Sequence, residues 1–348
     1  MRTILNTVGA SLENNAKRQG TDFSDALAVQ AFIREDPQAA CAELNFLSRF
    51  LEQGDEVELL HSDTDSGSRC SRYLEDYLRT LGYTCAVHRV PGLTQKAAGF
   101  ADYGLRALVH LLAQRVTAAR RRAREVAINA TGGFKPEVAY ATVLGLVFRV
   151  PVYYIHESFK DIIEIPPSPI GWDTGLILES ADFFEWVDEE PRPTRQVRAR
   201  AAQLPQPEAV QMLLEDQSDG TTLLSPLGEA YSRAFSDEEE AAQSVPLRFS
   251  KRAKQAWEHL DSSQQAAYRK VLRRLRMPNR DSQSERKSGG GEALGYPKGG
   301  VDERVFYTFR DGAVYVFELT RHGSDYDRLC RTPLLFADYQ PFGEQELF

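Results

Sequence analysis

The stretch that decides the fold is "REVAINATGGFKPEVAYATVLGLVFRVPVYYIHE", residues 124–157. An apolar strand-like run meets an abrupt Thr131-Gly132-Gly133 turn, and a long helical pattern leads from there into a second apolar run. Strand, glycine turn and helix start together make a phosphate cradle, because the unpaired N–H groups of a helix N-terminus point outward and its dipole favours negative charge. The motif is not a Walker A loop, since Lys135 is followed by Pro136 rather than Ser or Thr, and it is not Gly-x-Gly-x-x-Gly. Two readings fit this spacing: an anion-binding turn, or a plain sharp bend with Pro136 in the first turn of the helix.

Upstream, the same alternation repeats. "RTILNTVG", "DEVELLHS" and "TCAVHRVPG" read as three earlier strands, "REVAINAT" as a fourth and "VPVYYIHE" as a fifth. Helical patterns run from Arg69 to Leu81, from about Phe100 to Arg122 and from Lys135 to Phe148. Strand and helix in turn predict an α/β, Rossmann-like open parallel sheet, whose ligands sit beyond the carboxyl ends of the strands. That places three turns around one site: Gly9-Ala10-Ser11 after the first strand, "HSDTDSGS" after the second and "NATGGFK" after the fourth. Ser11 and Asn14 also suit capping of the next helix.

Composition bounds the rest. The chain has 348 residues, 42% hydrophobic and 26% charged, enough for two or three globular domains. No apolar run approaches the ~20 residues of a membrane span, and the N-terminus has no signal-peptide layout, so a cytoplasmic location is expected. Cys41, Cys70, Cys85 and Cys330 form no Cys-x-x-Cys pair and read as reduced structural thiols, with neither a zinc site nor a disulfide framework. The net charge of -8 hides a division: residues 246–331 hold 18 Lys and Arg against 11 Asp and Glu, so a basic module ends an acidic chain.

"ILNTVGASL" combined with "INATGGFKPEVAYATVLG" resembles the CARF domains of type III CRISPR systems, over roughly residues 1–165. The resemblance implies a Rossmann-like homodimer that binds cyclic oligoadenylate, with cyclic tetra-adenylate favoured. It implies a ligand site lined by Gly9, Ala10, Ser11, Asn129, Thr131, Gly132, Gly133, Phe134 and Lys135. Ser11 and Lys135 would also serve if the domain cleaves its own ligand.

Beyond the fifth strand, "EIPPSPIGW" and "DEEPRPTRQVRARAAQLPQPE" read as connections, and "GLILESADFFEW" as a last strand and short helix. "PEAVQMLLEDQSDGTTLLSPLGEAYSRAF" reads as two short helices around a Gly-centred hairpin and resembles a winged-helix segment, though it has few basic residues. From residue 246, apolar positions Ala253, Trp257 and Leu260, then Ala267, Val271, Leu272 and Leu275, predict two helices broken near Asp261 and Ser262. A polar Gly-rich loop and a strand hairpin turning at Asp311-Gly312 complete an α+β unit.

This order, with "ERVFYTFRDGAVYVFEL" and "TRHGSDYDR", resembles the RelE family of ribosome-dependent mRNA endonucleases. Such enzymes align RNA for attack of a 2′-hydroxyl on the neighbouring phosphate, without a metal or other cofactor. The resemblance implies that Lys298 contacts the 2′-hydroxyl and phosphate, Arg304 stabilises the phosphorane, Arg321 acts near the leaving group and Tyr326 stacks on the nucleotide. His322 adds a proton-exchanging group beside them. The expected partners are therefore cyclic oligoadenylate, the ribosome, mRNA and a second copy of the chain, with no membrane. The expected domains are a sensor at 1–185, a linker and winged-helix-like segment at 186–245, a RelE-like endoribonuclease at 246–332 and an aromatic tail at 333–348. The tail fits either docking to a partner or folding back on the chain. The alternative function is a CARF transcription regulator with an inactive last domain. A third ribonuclease pattern, Arg-x(4–6)-His on a helix, is met by Arg149 and His156 only across Pro151 and a strand.

Overall fold

The computed structural model describes residues 1–94, 103–133, 135–155, 161–167, 174–287, 289–299 and 301–346. Phe134, His156, Leu347 and Phe348 lie outside them. The chain divides into two compact units: residues 1–172, 186–199 and 208–234 form the first, and 173–185, 200–207 and 235–348 the second.

The first unit is built on β1 (Arg2–Val8), β2 (Glu56–Ser62), β3 (Thr84–Val90), β4 (Glu125–Asn129), β5 (Val152–Tyr154) and β6 (Ile163–Ile165). The sheet order is β3-β2-β1-β4-β5-β6. β1 pairs in parallel with both β2 and β4, and only β6 runs antiparallel, against β5. The order reverses at β1 and β4, the switch point where an open α/β sheet leaves a crevice. Successive residues face opposite layers, as a two-residue repeat requires. Ile4, Leu59 and Ala127 pack under the helices Ala26–Glu35, Ala42–Phe50 and Asp65–Thr80, whereas Leu5, Leu60 and Ile128 pack under Leu105–Arg121 and Lys135–Phe148. Both faces are covered, which is why these strands are apolar nearly throughout.

Two local expectations fail for physical reasons. The sheet's last strand is "IEI" of β6, taken from a segment that reads as a proline-rich connection, because an edge strand needs only one apolar face. "GLILESADFFEW" is helical instead, as Thr174–Glu179 and Ala181–Glu189, separated at Ser180, whose carbonyl accepts from the Phe183 and Phe184 N–H groups. The other presumed linker holds β7 (Arg192–Pro193) and the helix Thr194–Ala201. β8 (Leu214–Asp216) and β9 (Thr221–Leu224) form the expected hairpin around Gly220, and β7 joins it in a small sheet ordered β7-β9-β8.

The second unit has β10 (Leu247–Phe249), β11 (Glu285–Arg286), β12 (Leu294–Tyr296), β13 (Glu303–Arg310), β14 (Ala313–Arg321) and β15 (Gly343–Glu344), in the order β11-β12-β13-β14-β10-β15. β10 runs parallel to β14; the other pairs are antiparallel. The helices Lys251–Glu258 and Ser262–Leu275 cover one face, with Trp257, Tyr268 and Leu272 against Val305, Tyr307 and Val316. Asp261 separates these helices and caps the second one through a capping box with Gln264. Asp311 and Gly312 both have positive φ, the geometry of a two-residue hairpin turn. The Gly-rich segment is partly ordered into a 3-10 turn, Pro278–Gln283, and strands β11 and β12.

The aromatic tail folds back onto its own unit. Leu334, Tyr339, Phe336 and Phe342 pack with Phe306, Phe317 and Tyr326 on the sheet's other face, and β15 extends the sheet beside β10. Polar contacts fix it: the Tyr339 hydroxyl donates to Glu318 at 3.0 Å and the Phe336 N–H to Glu292 at 2.6 Å.

Candidate functional site

The carboxyl ends of β1, β2 and β4 open into a cleft of about 920 Å³, lined from all three expected turns. Gly9, Ala10 and Ser11 line it from the first, Ser62 to Ser66 from the second, and Thr131, Gly132 and Gly133 from the third. The first and third turns touch through backbone. A Cβ on Gly132 would lie 2.6 Å from the Thr7 carbonyl oxygen and 3.0 Å from the Gly9 nitrogen, and one on Gly9 would lie 2.9 Å from the Gly133 nitrogen. Glycine is therefore required here by close approach, and Gly133 also needs its positive φ of 108°.

Asn129 does not face the cleft. It is fully buried, donates to Asn6 Oδ1 at 2.5 Å and accepts from the Thr131 hydroxyl at 2.6 Å. The Thr131 hydroxyl oxygen in turn accepts the Ile155 N–H at 3.1 Å, while the Thr7 hydroxyl donates to the Gly132 carbonyl at 2.5 Å. These buried bonds set the turn's shape, so Asn129 is a positioning residue of the lining. Lys135 is exposed as the first residue of its helix, and Phe134 is outside the described residues.

Ser11 is not a helix cap; it is the first residue of the helix Ser11–Arg18. Its hydroxyl donates to Glu43 Oε2 at 2.8 Å, and the Gly9 N–H donates to Glu43 Oε1 at 2.7 Å. Glu43 is 1% exposed, on the first turn of Ala42–Phe50. Sequence reading missed it, because a single acid in an ordinary amphipathic helix gives no pattern to find. Glu13, Asp63, Asp65 and Glu137 also line the cleft, against Lys17 and Arg18. Burial pushes the Glu13 carboxyl up, but the bonds from Lys17 and Ser66 outweigh it and the group sits below its ordinary value. Asp63 is likewise held low by Arg89 and the Gly92 N–H.

In the second unit, three of the five expected residues meet around one ring. Tyr326, on the helix Ser324–Cys330, is 7% exposed and packs on Phe306. His322 lies against it at 5.3 Å between ring centroids, and the Arg304 guanidinium carbon lies 5.7 Å from the ring centroid. A residue the sequence did not signal completes the group: the Lys287 amine is 4.9 Å from the same centroid. Burial lowers the Lys287 pKa, but bonds to Glu285 and Tyr326 raise it further, so the amine is held charged. It stands two residues before the glycine run that starts at Gly289, in a polar stretch that hides it.

Arg304 and the other two expected residues, Arg321 and Lys298, each hold further contacts of their own. Arg304 is only 6% exposed and donates to the Val301 and Glu303 carbonyls, because residue 304 falls on the same face of β13 as Phe306, under the helix. Arg321 is exposed at the end of β14, 3.3 Å from Asp302, with its backbone opposite Glu303. Lys298 donates its amine to the Ser282 carbonyl at 2.8 Å, at the 3-10 turn.

Residues 38–168 match the family described as CRISPR-associated protein (Cas_APE2256), which is under half of the chain but includes the third turn and its helix. Among solved structures, the protein VC1899 from Vibrio cholerae is similar over 92% of this chain and 77% of its own, at 8% identity and a TM-score of 0.29. Can2 from Sulfobacillus thermosulfidooxidans, in complex with cyclic tetra-adenylate (cA4), is similar over 93% of this chain and 81% of its own, at 11% identity and a TM-score of 0.27. With scores this low, the fold rests on the strand order itself. Among the described residues no helix is long and apolar enough to cross a membrane.

Proposed function

We propose that the protein is a type III CRISPR ancillary effector: a dimer whose cleft at β1, β2 and β4 binds cyclic tetra-adenylate and thereby activates a metal-independent, ribosome-dependent mRNA endonuclease in the second unit. The observation that carries the sensor half is the glycine-lined cleft at the switch point of a parallel sheet, in a segment similar to a CRISPR-associated family. Backbone approaches the ligand closely at Gly9, Gly132 and Gly133, and the N-terminus of Lys135–Phe148 with the Lys135 amine supplies positive charge for phosphate. Slow cleavage of the ring would use Ser11 and Lys135.

The effector half rests on the cations gathered on Tyr326. RNA is cut when its 2′-hydroxyl oxygen attacks the adjacent phosphorus and the bond to the 5′-oxygen breaks, leaving a 2′,3′-cyclic phosphate and a 5′-hydroxyl. In this reading Lys287 and the exposed Arg321 stabilise the phosphorane charge. His322 is the group suited to moving the proton from the 2′-hydroxyl towards the 5′-oxygen. Tyr326 is buried and holds Lys287 and His322 together through its ring rather than stacking on a base, and Arg304 acts through Tyr326 by fixing that ring. A transcription-regulator role for the small sheet is less favoured, since Arg192 and Arg198 there are already paired with Glu189, Glu190 and Asp216.

The test is calorimetry with cyclic tetra-adenylate, together with mapping of mRNA ends in a translation extract with and without the ring. The expected result is one ring per dimer and cuts in ribosome-bound mRNA only when the ring is present. Absence of binding overturns the sensor half; binding without ring-dependent cuts overturns the effector half.

A further inference from the structure

The cleft contains a contradiction that points to its regulation. Two donors of the first turn that an anion would use, the Gly9 N–H and the Ser11 hydroxyl, are both taken by Glu43 at 2.7 and 2.8 Å. The same carboxylate lies against the third turn, since a Cβ on Gly132 would run into its Oε1. It is 1% exposed, and both of these donors are neutral. A buried carboxylate held by two hydrogen bonds is well satisfied, but it puts negative charge where a phosphate would dock.

We infer that Glu43 is an internal stand-in for ligand phosphate: it occupies the anion-binding donors of the first turn, and an anionic ligand gains them only by displacing it. This rests on the reading of the cleft as a cyclic oligoadenylate site and adds the residue that sets its affinity. The bond count does not change on exchange, because each donor lost by Glu43 is gained by the ligand. What the ligand must overcome is the repulsion between two anions and the cost of re-solvating or re-pairing the Glu43 carboxylate. Glu43 sits on the first turn of Ala42–Phe50, which packs Leu44, Phe46 and Leu47 into the core of the first unit. Displacing it therefore loads a helix, so ligand binding and a shift of that helix become one event.

The experiment uses the full chain. Glu43→Gln keeps the size and one acceptor oxygen but removes the charge; it should bind cyclic tetra-adenylate roughly tenfold tighter than the unsubstituted protein, a change of about 1.4 kcal/mol. Ser11→Ala should weaken binding by less than about threefold when Glu43 is present and roughly tenfold in the Glu43→Gln background, a coupling that a purely structural role for Glu43 does not produce. Unchanged or weaker binding in a folded Glu43→Gln variant overturns the inference. If that variant does not fold, Ser11→Ala alone decides: a tenfold loss with Glu43 intact means the hydroxyl was free for ligand and the inference is wrong. Inorganic phosphate gives a readout independent of the ring: it should raise the Tm of Glu43→Gln more than that of the unsubstituted chain. If no ring binds either protein but this difference persists, the ligand assignment fails and the stand-in role survives; if the difference is also absent, both fail.

Discussion

The two candidate sites are built by opposite means. In the first unit the approach is made by the main chain: Gly9, Gly132 and Gly133 bring strand ends together so closely that no side chain fits between them. In the second, long side chains converge on a ring, with Lys287, Arg304 and His322 around Tyr326. A backbone site has its shape fixed by the fold and tolerates no added atom. A side-chain site keeps its fold when one member is removed and loses chemistry instead. Substitutions in the first unit should therefore disturb shape, and those in the second should disturb rate.

The largest expected effect tests the rate half. Arg321→Ala should lower ring-activated mRNA cutting about 10²–10³-fold, the usual consequence of removing a group that stabilises transition-state charge, while ring affinity by calorimetry stays the same. A loss of ring affinity in that variant would break the contrast. Acid should separate the two units next. Glu58 is buried; burial pushes its carboxyl up, but bonds from His88 and Arg115 reverse this and hold it at about 2. Its folded pKa lies below the ordinary 4.5, so its contribution is complete above that value and is lost as the pH falls towards 2. The contribution is on the order of 2–3 kcal/mol, and Glu58→Gln should remove this part of the acid sensitivity of the first unit's melting between pH 5 and 2. Equal acid sensitivity in the variant would contradict the assignment.

A smaller effect sharpens the shape half. Gly132→Ala should cost about 1–3 kcal/mol through the clash with the Thr7 carbonyl, measured by chemical denaturation, and weaken ring binding with it. Full stability would mean that the turn is looser than its geometry. The smallest belongs to Lys135→Ala, where loss of an exposed charged contact should weaken cyclic tetra-adenylate binding about tenfold without altering stability.

What was legible in the chain follows from the same contrast. The parallel strands are apolar runs bounded by turns, and the glycine turns mark the strand ends, so β1 to β5 and the three walls of the cleft could be read directly. β6 could not, because three residues before a Pro-Pro pair carry no strand signal of their own and pairing with β5 alone makes them a strand. Glu43 and Lys287 were equally silent, since their roles come from contacts far away in sequence: Glu43 meets Gly9 from 34 positions on. Arg304 was visible as a residue but not as a buried one, because its side depends on the pleat of β13, which shifts register between Phe306 and Tyr307.

The parallel pairing of β10 with β14 carries one more consequence, for synthesis. Arg248 and Tyr315 are 67 residues apart, and β10 gains its second neighbour only at Gly343 and Glu344. At about 5–20 residues per second, many seconds pass between making the first strand of this sheet and making the strands on either side of it. The sheet of the second unit is thus complete only once residues 247–344 have all been made.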